Sequence, residues 1–204
     1  MNKYALFSKY KYIIIIVMLL CIVYSAKAES SSRIHFSGGM AFHSFYLKSN
    51  EQTTLPNGLC SGLGGRAYFP IYKSFSVGLA GASLQRTYKS DGDNQKRSDL
   101  SFGFGGITFE YSFALNSKFT IGTGCLVGGG ALKNWHTVNT LTSDTVVALH
   151  LKRSGLISSP FMTIEYNLTK AIKLNTVIEY FLFFSDSNKP IMGPKLQLGL
   201  LFIK

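Results

Sequence analysis

Apolar residues alternate with small or polar ones along most of this chain. In Ile107–Val127 two alternating runs are separated by Ala114-Leu115-Asn116-Ser117-Lys118, and the same arrangement recurs over Arg66–Ala80 and Phe161–Tyr180. A period of two marks a strand with two unlike faces, and a short polar break between two such runs marks a hairpin. The whole pattern gives eight strands. They cover Arg33–Leu47, Gly58–Phe69, Lys73–Tyr88, Asp99–Phe113, a fifth from Lys118, a sixth carrying Leu156 to Tyr166, a seventh from Ile172 to Phe184, and Pro194–Ile203. Connections alternate strictly between polar loops and short turns. That order predicts an all-β fold: an eight-stranded antiparallel up-and-down transmembrane β-barrel, its termini at one end and its long loops at the other.

Charge decides which solvent the apolar face meets. Near the strand centres Arg66, Glu110, Glu165 and Glu179 all fall on the opposite face, and the apolar face carries no charge at mid-strand. A soluble barrel would need polar residues there. Each strand also has the roughly 9–11 residues that a tilted span requires. Leu79, Phe104, Ile121, Ile178 and Leu198 are therefore assigned to lipid, and the four charges to a paired cluster in the lumen. Keeping Leu100, Phe102 and Phe104 outside together with Ile107, Phe109 and Tyr111 requires a one-residue slip at Gly105-Gly106, where a bulge is expected. Gly122, on the polar face, is expected to tolerate serine. Aromatic residues near the short turns, among them Phe69, Phe75, Phe113, Phe119 and Tyr166, suit an interfacial girdle.

The amino terminus changes the picture again. Lys3, Lys9 and Lys11 precede the apolar run Ile13–Val23, and Ala26-Lys27-Ala28 follows it. This is the pattern of a secretory signal peptide over residues 1–28, leaving a barrel domain over 29–204. A retained anchor would need an apolar run of roughly 20 residues. A lipid-modified Cys21 is the other alternative, but Leu20 stands where a small residue is wanted. Of the net charge of +11, the +7 carried by residues 29–204 (17 basic, 10 acidic) is spread over loops and strand ends without a basic cluster, which argues against nucleic acid as a partner. Cys60 and Cys125 fall on opposite faces of distant strands and are expected to be free thiols. Between residues 133 and 154 the fifth and sixth strands are expected to run past the membrane as a hairpin turning near Ser143-Asp144. A ten-strand barrel would need that hairpin to enter lipid, against the charges of Lys133, Asp144, Lys152 and Arg153.

Two stretches carry a family resemblance. Glu165-Tyr166-Asn167-Leu168-Thr169 is like the turns of the small eight-stranded outer-membrane barrels of diderm bacteria, the OmpA-, OmpX- and OmpW-type group. The carboxy end, Gln197-Leu198-Gly199-Leu200-Leu201-Phe202-Ile203-Lys204, resembles that group's terminal assembly signal through Gln197, Gly199 and Phe202, with Lys204 where the motif ends in an aromatic residue. The resemblance, spanning Arg33 to Lys204, implies an outer-membrane location, contact with membrane lipid and a barrel-assembly machinery as partner.

An eight-strand barrel has an interior that side chains just fill. The expected function is that of a structural or surface-contact protein whose interior is largely plugged and whose extracellular loops meet host or environmental molecules. A narrow porin-like channel for small solutes is the alternative. Weaker ones are a lipid-modifying enzyme built on His35 and Ser37, which lack an evident orienting carboxylate, and a periplasmic lipocalin-like barrel. No catalytic residue, metal spacing or cofactor motif is assigned.

Overall fold

The computed structural model describes residues 36–48, 57–72, 74–89, 97–139, 145–185 and 190–203, with the backbone alone at 97, 136–139 and 145–150. The expected leader over 1–28, His35 and the expected turn near Ser143-Asp144 lie outside the described residues. Eight strands form one closed antiparallel barrel: β1 (Ser37–Leu47), β2 (Gly58–Tyr72), β3 (Phe75–Lys89), β4 (Arg97–Ala114), β5 (Phe119–Asn139), β6 (Thr145–Asn167), β7 (Ile172–Ser185) and β8 (Ile191–Ile203). Each strand pairs with the next, and β8 returns to β1 from Ser37↔Ile203 to Phe45↔Lys195. Closure leaves no sheet edge, so the ladder satisfies its own backbone groups where lipid offers none.

Local chemistry fixes the short turns. Between β4 and β5 the Asn116 side-chain oxygen accepts the backbone N–H groups of Lys118 and Phe119 at 2.9 and 2.8 Å. Between β6 and β7 the Thr169 hydroxyl accepts those of Ala171 and Ile172 at 3.2 and 3.0 Å. Asn and Thr serve in turns because a short side chain can stand in for a backbone acceptor. At the other end β5 and β6 stay paired as far as Asn139↔Thr145, with a register shift between Asn134 and Trp135. They are two long strands of the same barrel, and the strand count is eight rather than ten.

The outer wall is apolar. Met40, Phe42, Leu63, Leu79, Leu156, Met162, Ile178 and Leu198 are all exposed, and Phe36, Phe69, Tyr72, Phe113, Phe119 and Phe202 stand exposed near the short-turn end. Two cross-strand ring pairs belong to that end, Phe36–Phe69 and Phe119–Tyr166, each with centroids 4.9 Å apart. A belt of large apolar side chains edged by aromatic rings is what a spanning barrel turns to the bilayer.

The phase slip in the fourth strand does not occur. Pairing of β4 runs unbroken through Gly81↔Gly105 and Ala80↔Gly106 on one side and through Gly105↔Gly129 and Gly106↔Gly128 on the other. Alternation therefore carries Leu100, Phe102 and Phe104 to the same inner face as Thr108 and Glu110. Phe104 is only 8% exposed, against 61% for Leu79, and does not meet lipid. Hydrophobicity at this height misled because the barrel interior there is itself apolar, while the outward positions of β4 are Gly103 and Gly105. Continuous hydrogen bonding on both flanks outweighs the preference for placing every large apolar residue outside.

Candidate functional site

The lumen is the most structured part of the molecule, and it has two halves. Toward the short turns it is ionic. Arg66 on β2 meets Glu110 on β4, Nη2 to Oε2 at 2.7 Å, and the Thr163 hydroxyl on β6 donates to the other oxygen of Glu110 at 2.8 Å. Glu165 on β6 accepts the Tyr68 hydroxyl and lies 2.9 Å from the Lys173 ammonium. At mid-height Lys195 on β8 meets Glu179 on β7 at 2.5 Å, and the Ser159 hydroxyl donates to Glu179 at 2.7 Å. Arg66, Glu110, Glu165, Glu179 and Lys195 are all buried. Each carboxylate thus has one cation of its own plus a hydroxyl donor, the arrangement that lets buried charge persist.

Ser159 has a second task. Pro160 has no N–H to give the β6–β7 ladder, and the Tyr180 carbonyl lies 3.3 Å from the Ser159 hydroxyl as the longer, second acceptor for its one proton.

Toward the loops the lumen is aromatic and aliphatic. Phe102 packs on Phe181 and Phe183 with ring centroids 5.4 and 5.2 Å apart, and Phe45 on Phe181 at 5.2 Å. Leu47, Cys60, Leu84, Leu100, Leu132, Ile157 and Ile191 close around these rings. The halves meet at Lys195, whose Nζ lies 4.1 Å from the centroid of Phe104, and at Arg66, which sits over Phe161 at 5.1 Å. Cation–π contact lets a charged layer abut an aromatic one. Beside them His43 is buried next to a cavity of about 10 Å³ shared with Arg66, Thr108, Glu179, Lys195 and Gln197. That is space for about one water.

The lumen glycines make room for this packing. A Cβ at Gly122 would stand 2.4 Å from the Thr163 hydroxyl and 2.5 Å from Glu110 Oε1. Serine there is therefore not mild: the polar face is full, and the space belongs to the Glu110 network.

The other singled-out positions are scattered over the wall. Leu79, Ile178 and Leu198 are exposed and Ile121 is half-exposed, opposite Ile164 on the neighbouring strand. In β8 Gln197 is buried, Gly199 half-buried and Phe202 exposed. Cys60 is buried, Cys125 half-buried, and neither forms a disulfide. Lys195 and Lys173 escaped the sequence reading. Lys195 follows Pro194 at a strand start, where charge is ordinary, yet its alternation with Leu196 and Leu198 already put it inside.

No protein-family model matches the sequence, and comparison with curated proteins gives no match. Comparison with solved structures does. Ail, the attachment invasion locus protein of Yersinia pestis, in complex with the heparin analogue sucrose octasulfate, superposes with a TM-score of 0.59 and 10% identity over 85% of this chain and 100% of that one. A major outer membrane protein from Thermus thermophilus gives 0.56 and 10% over 83% and 99%. OprG, an outer membrane protein from Pseudomonas aeruginosa, gives 0.53 and 13% over 84% and 95%. At such identities the likeness is one of fold: the chain is built as small outer-membrane barrels are.

Proposed function

We propose that this protein is an outer-membrane barrel with a sealed interior that acts by surface contact through its loop-bearing end. The carrying observation is the lumen, where two buried ion pairs, a third whose lysine is half-buried, and a packed phenylalanine cluster stand on successive levels. An interior so filled offers a solute no path, which leaves the outer end as the working part. The reach of β5 and β6 as a paired ribbon out to Asn139↔Thr145 supports this, since it holds chain beyond the apolar belt. The solved complex of Ail with a heparin analogue shows that one barrel of this fold meets a sulfated ligand, and it supports a surface ligand here.

On this reading residues 1–28 are a secretory signal and 29–204 the barrel domain. Leu79, Ile121, Ile178 and Leu198 contact lipid, and Gln197, Gly199 and Phe202 serve recognition by the assembly machinery. Arg66, Glu110, Glu165 and Glu179 are structural, and no residue is assigned to catalysis. Liposome swelling separates this from the channel reading. Vesicles carrying the refolded barrel should swell in small sugars no faster than empty ones, and an epitope inserted at residues 140–144 should be detected on intact cells. Fast swelling together with a silent epitope would refute the proposal.

A further inference from the structure

On the outward face of β5 and β6, Lys133 stands directly across from Lys152, and both side chains are exposed. Directly opposed positions bring Cβ atoms to about 5 Å, and like charges placed so repel. No carboxylate among the described residues pairs with either lysine. Asp99, on the outward face of β4, accepts the Thr87 hydroxyl at 2.6 Å. Two cations are thus held side by side, with no ion pair to either among the described residues.

Their depth says what they face. Two outward rows closer to the short turns runs Gly105–Gly129–Leu156–Phe184, and between lies Gly103–Ala131–Ser154. The lysines therefore stand at the loop-side margin of the apolar belt. Below them the wall is nearly bare. The row continues through Gly81 and Gly65 to Met40, so four adjacent strands present glycine in register, between Met40 on one flank and Leu156 on the other. At Gly65 and Gly81 the barrel itself demands glycine, since a Cβ would stand 2.8 Å from a backbone carbonyl oxygen, but on β4 and β5 it does not. A Cβ at Gly103 would meet nothing within 4 Å, those at Gly105 and Gly129 only ordinary contacts at 3.8 and 3.6 Å, and none of the three has positive φ. Strand glycine without a packing or conformational cause marks close approach from outside.

We propose that this face is a docking site for an anionic phospholipid of the loop-side leaflet, one whose phosphate has no head-group cation beside it. The phosphate bridges Lys133 and Lys152, and the acyl chains lie in the shallow trough floored by Gly103, Gly105, Gly129 and Ala131. Charge complementarity selects this occupant over a second copy of the barrel, which would bring two lysine pairs together across the contact. The site goes beyond the surface-contact reading and needs only that the barrel be inserted.

Trp135, the single tryptophan of the chain, lies two residues from Lys133 and reports on it. The experiment compares quenching of its fluorescence by brominated phosphatidylglycerol and brominated phosphatidylcholine, each a minor component of otherwise zwitterionic vesicles. In the native barrel the anionic probe should be enriched by about five-fold per lysine. Lys133→Gln/Lys152→Gln should abolish the preference. Gly103→Leu/Gly105→Leu, which keeps both charges, should weaken it, and soluble glycerol phosphate should not compete. Equal quenching by both lipids, retention of the preference in the glutamine variant, or full competition by the soluble phosphate would each overturn the proposal. So would a crosslinked dimer that the leucine variant alone abolishes. Absence of quenching by either lipid would instead show that the barrel had not inserted, which is a failure of the membrane reading and is read separately from heat-modifiable gel mobility.

Discussion

Single residues inside this barrel are held by very little free space. Gly122 illustrates it, since its missing Cβ is the room that the Thr163 hydroxyl and Glu110 need to meet. Gly122→Ser should lower stability by about 1–3 kcal/mol, the cost of overpacking and of a disturbed buried hydrogen bond. Gly103→Ser, on the outer wall with open space around it, should change stability by less than about 0.5 kcal/mol. Urea unfolding of barrels refolded into vesicles measures both. Lys195 makes the companion case. Lys195→Met strands Glu179 with one hydroxyl donor and should cost about 3–5 kcal/mol, whereas Lys195→Met/Glu179→Met removes both charges and should recover most of that loss. If the double variant is no more stable than the single one, the pair does not act as a unit.

At the scale of the strand, two faces of one alternation answer to different solvents. Ile121 and Gly122 are neighbours in β5, but a lipid-facing charge and a lumen-facing clash fail for different reasons. Ile121→Arg should cost about 2–4 kcal/mol through the uncompensated charge in hydrocarbon, and heat-modifiable gel mobility of the refolded variant should show it. An unimpaired Ile121→Arg barrel would reverse the assignment of that face. Strand number, order and turn positions were legible in the sequence because period-two alternation and polar breaks report backbone geometry directly. The direction of β4 was not. Leu100, Phe102 and Phe104 read as lipid-facing because hydrophobicity does not distinguish bilayer from a dry protein interior, and only the unbroken ladder to β3 and β5 decides between them. The phase of Glu110 carried the same information, since an uninterrupted alternation from Glu110 back to Leu100 puts all three apolar residues inside.

At the scale of the whole molecule, the two layers of the lumen divide the labour. The ionic layer fixes the register of β2, β4, β6, β7 and β8 through partners far apart in the chain, as Arg66–Glu110 and Tyr68–Glu165 show. The aromatic layer excludes water from the loop-side half, where Phe45, Phe102, Phe181 and Phe183 are almost wholly buried. On the proposed reading, sealing is what makes the protein a surface barrel and not a pore, and planar-bilayer recording tests it most directly. The native barrel, inserted at a density at which a porin gives discrete steps, should leave the bilayer silent. Phe102→Ala/Phe181→Ala, which removes two of the four rings of the aromatic layer, should remain closed or flicker, because the ion-paired layer beneath it is intact. Steady, uniform single-channel currents from the native protein would contradict the account.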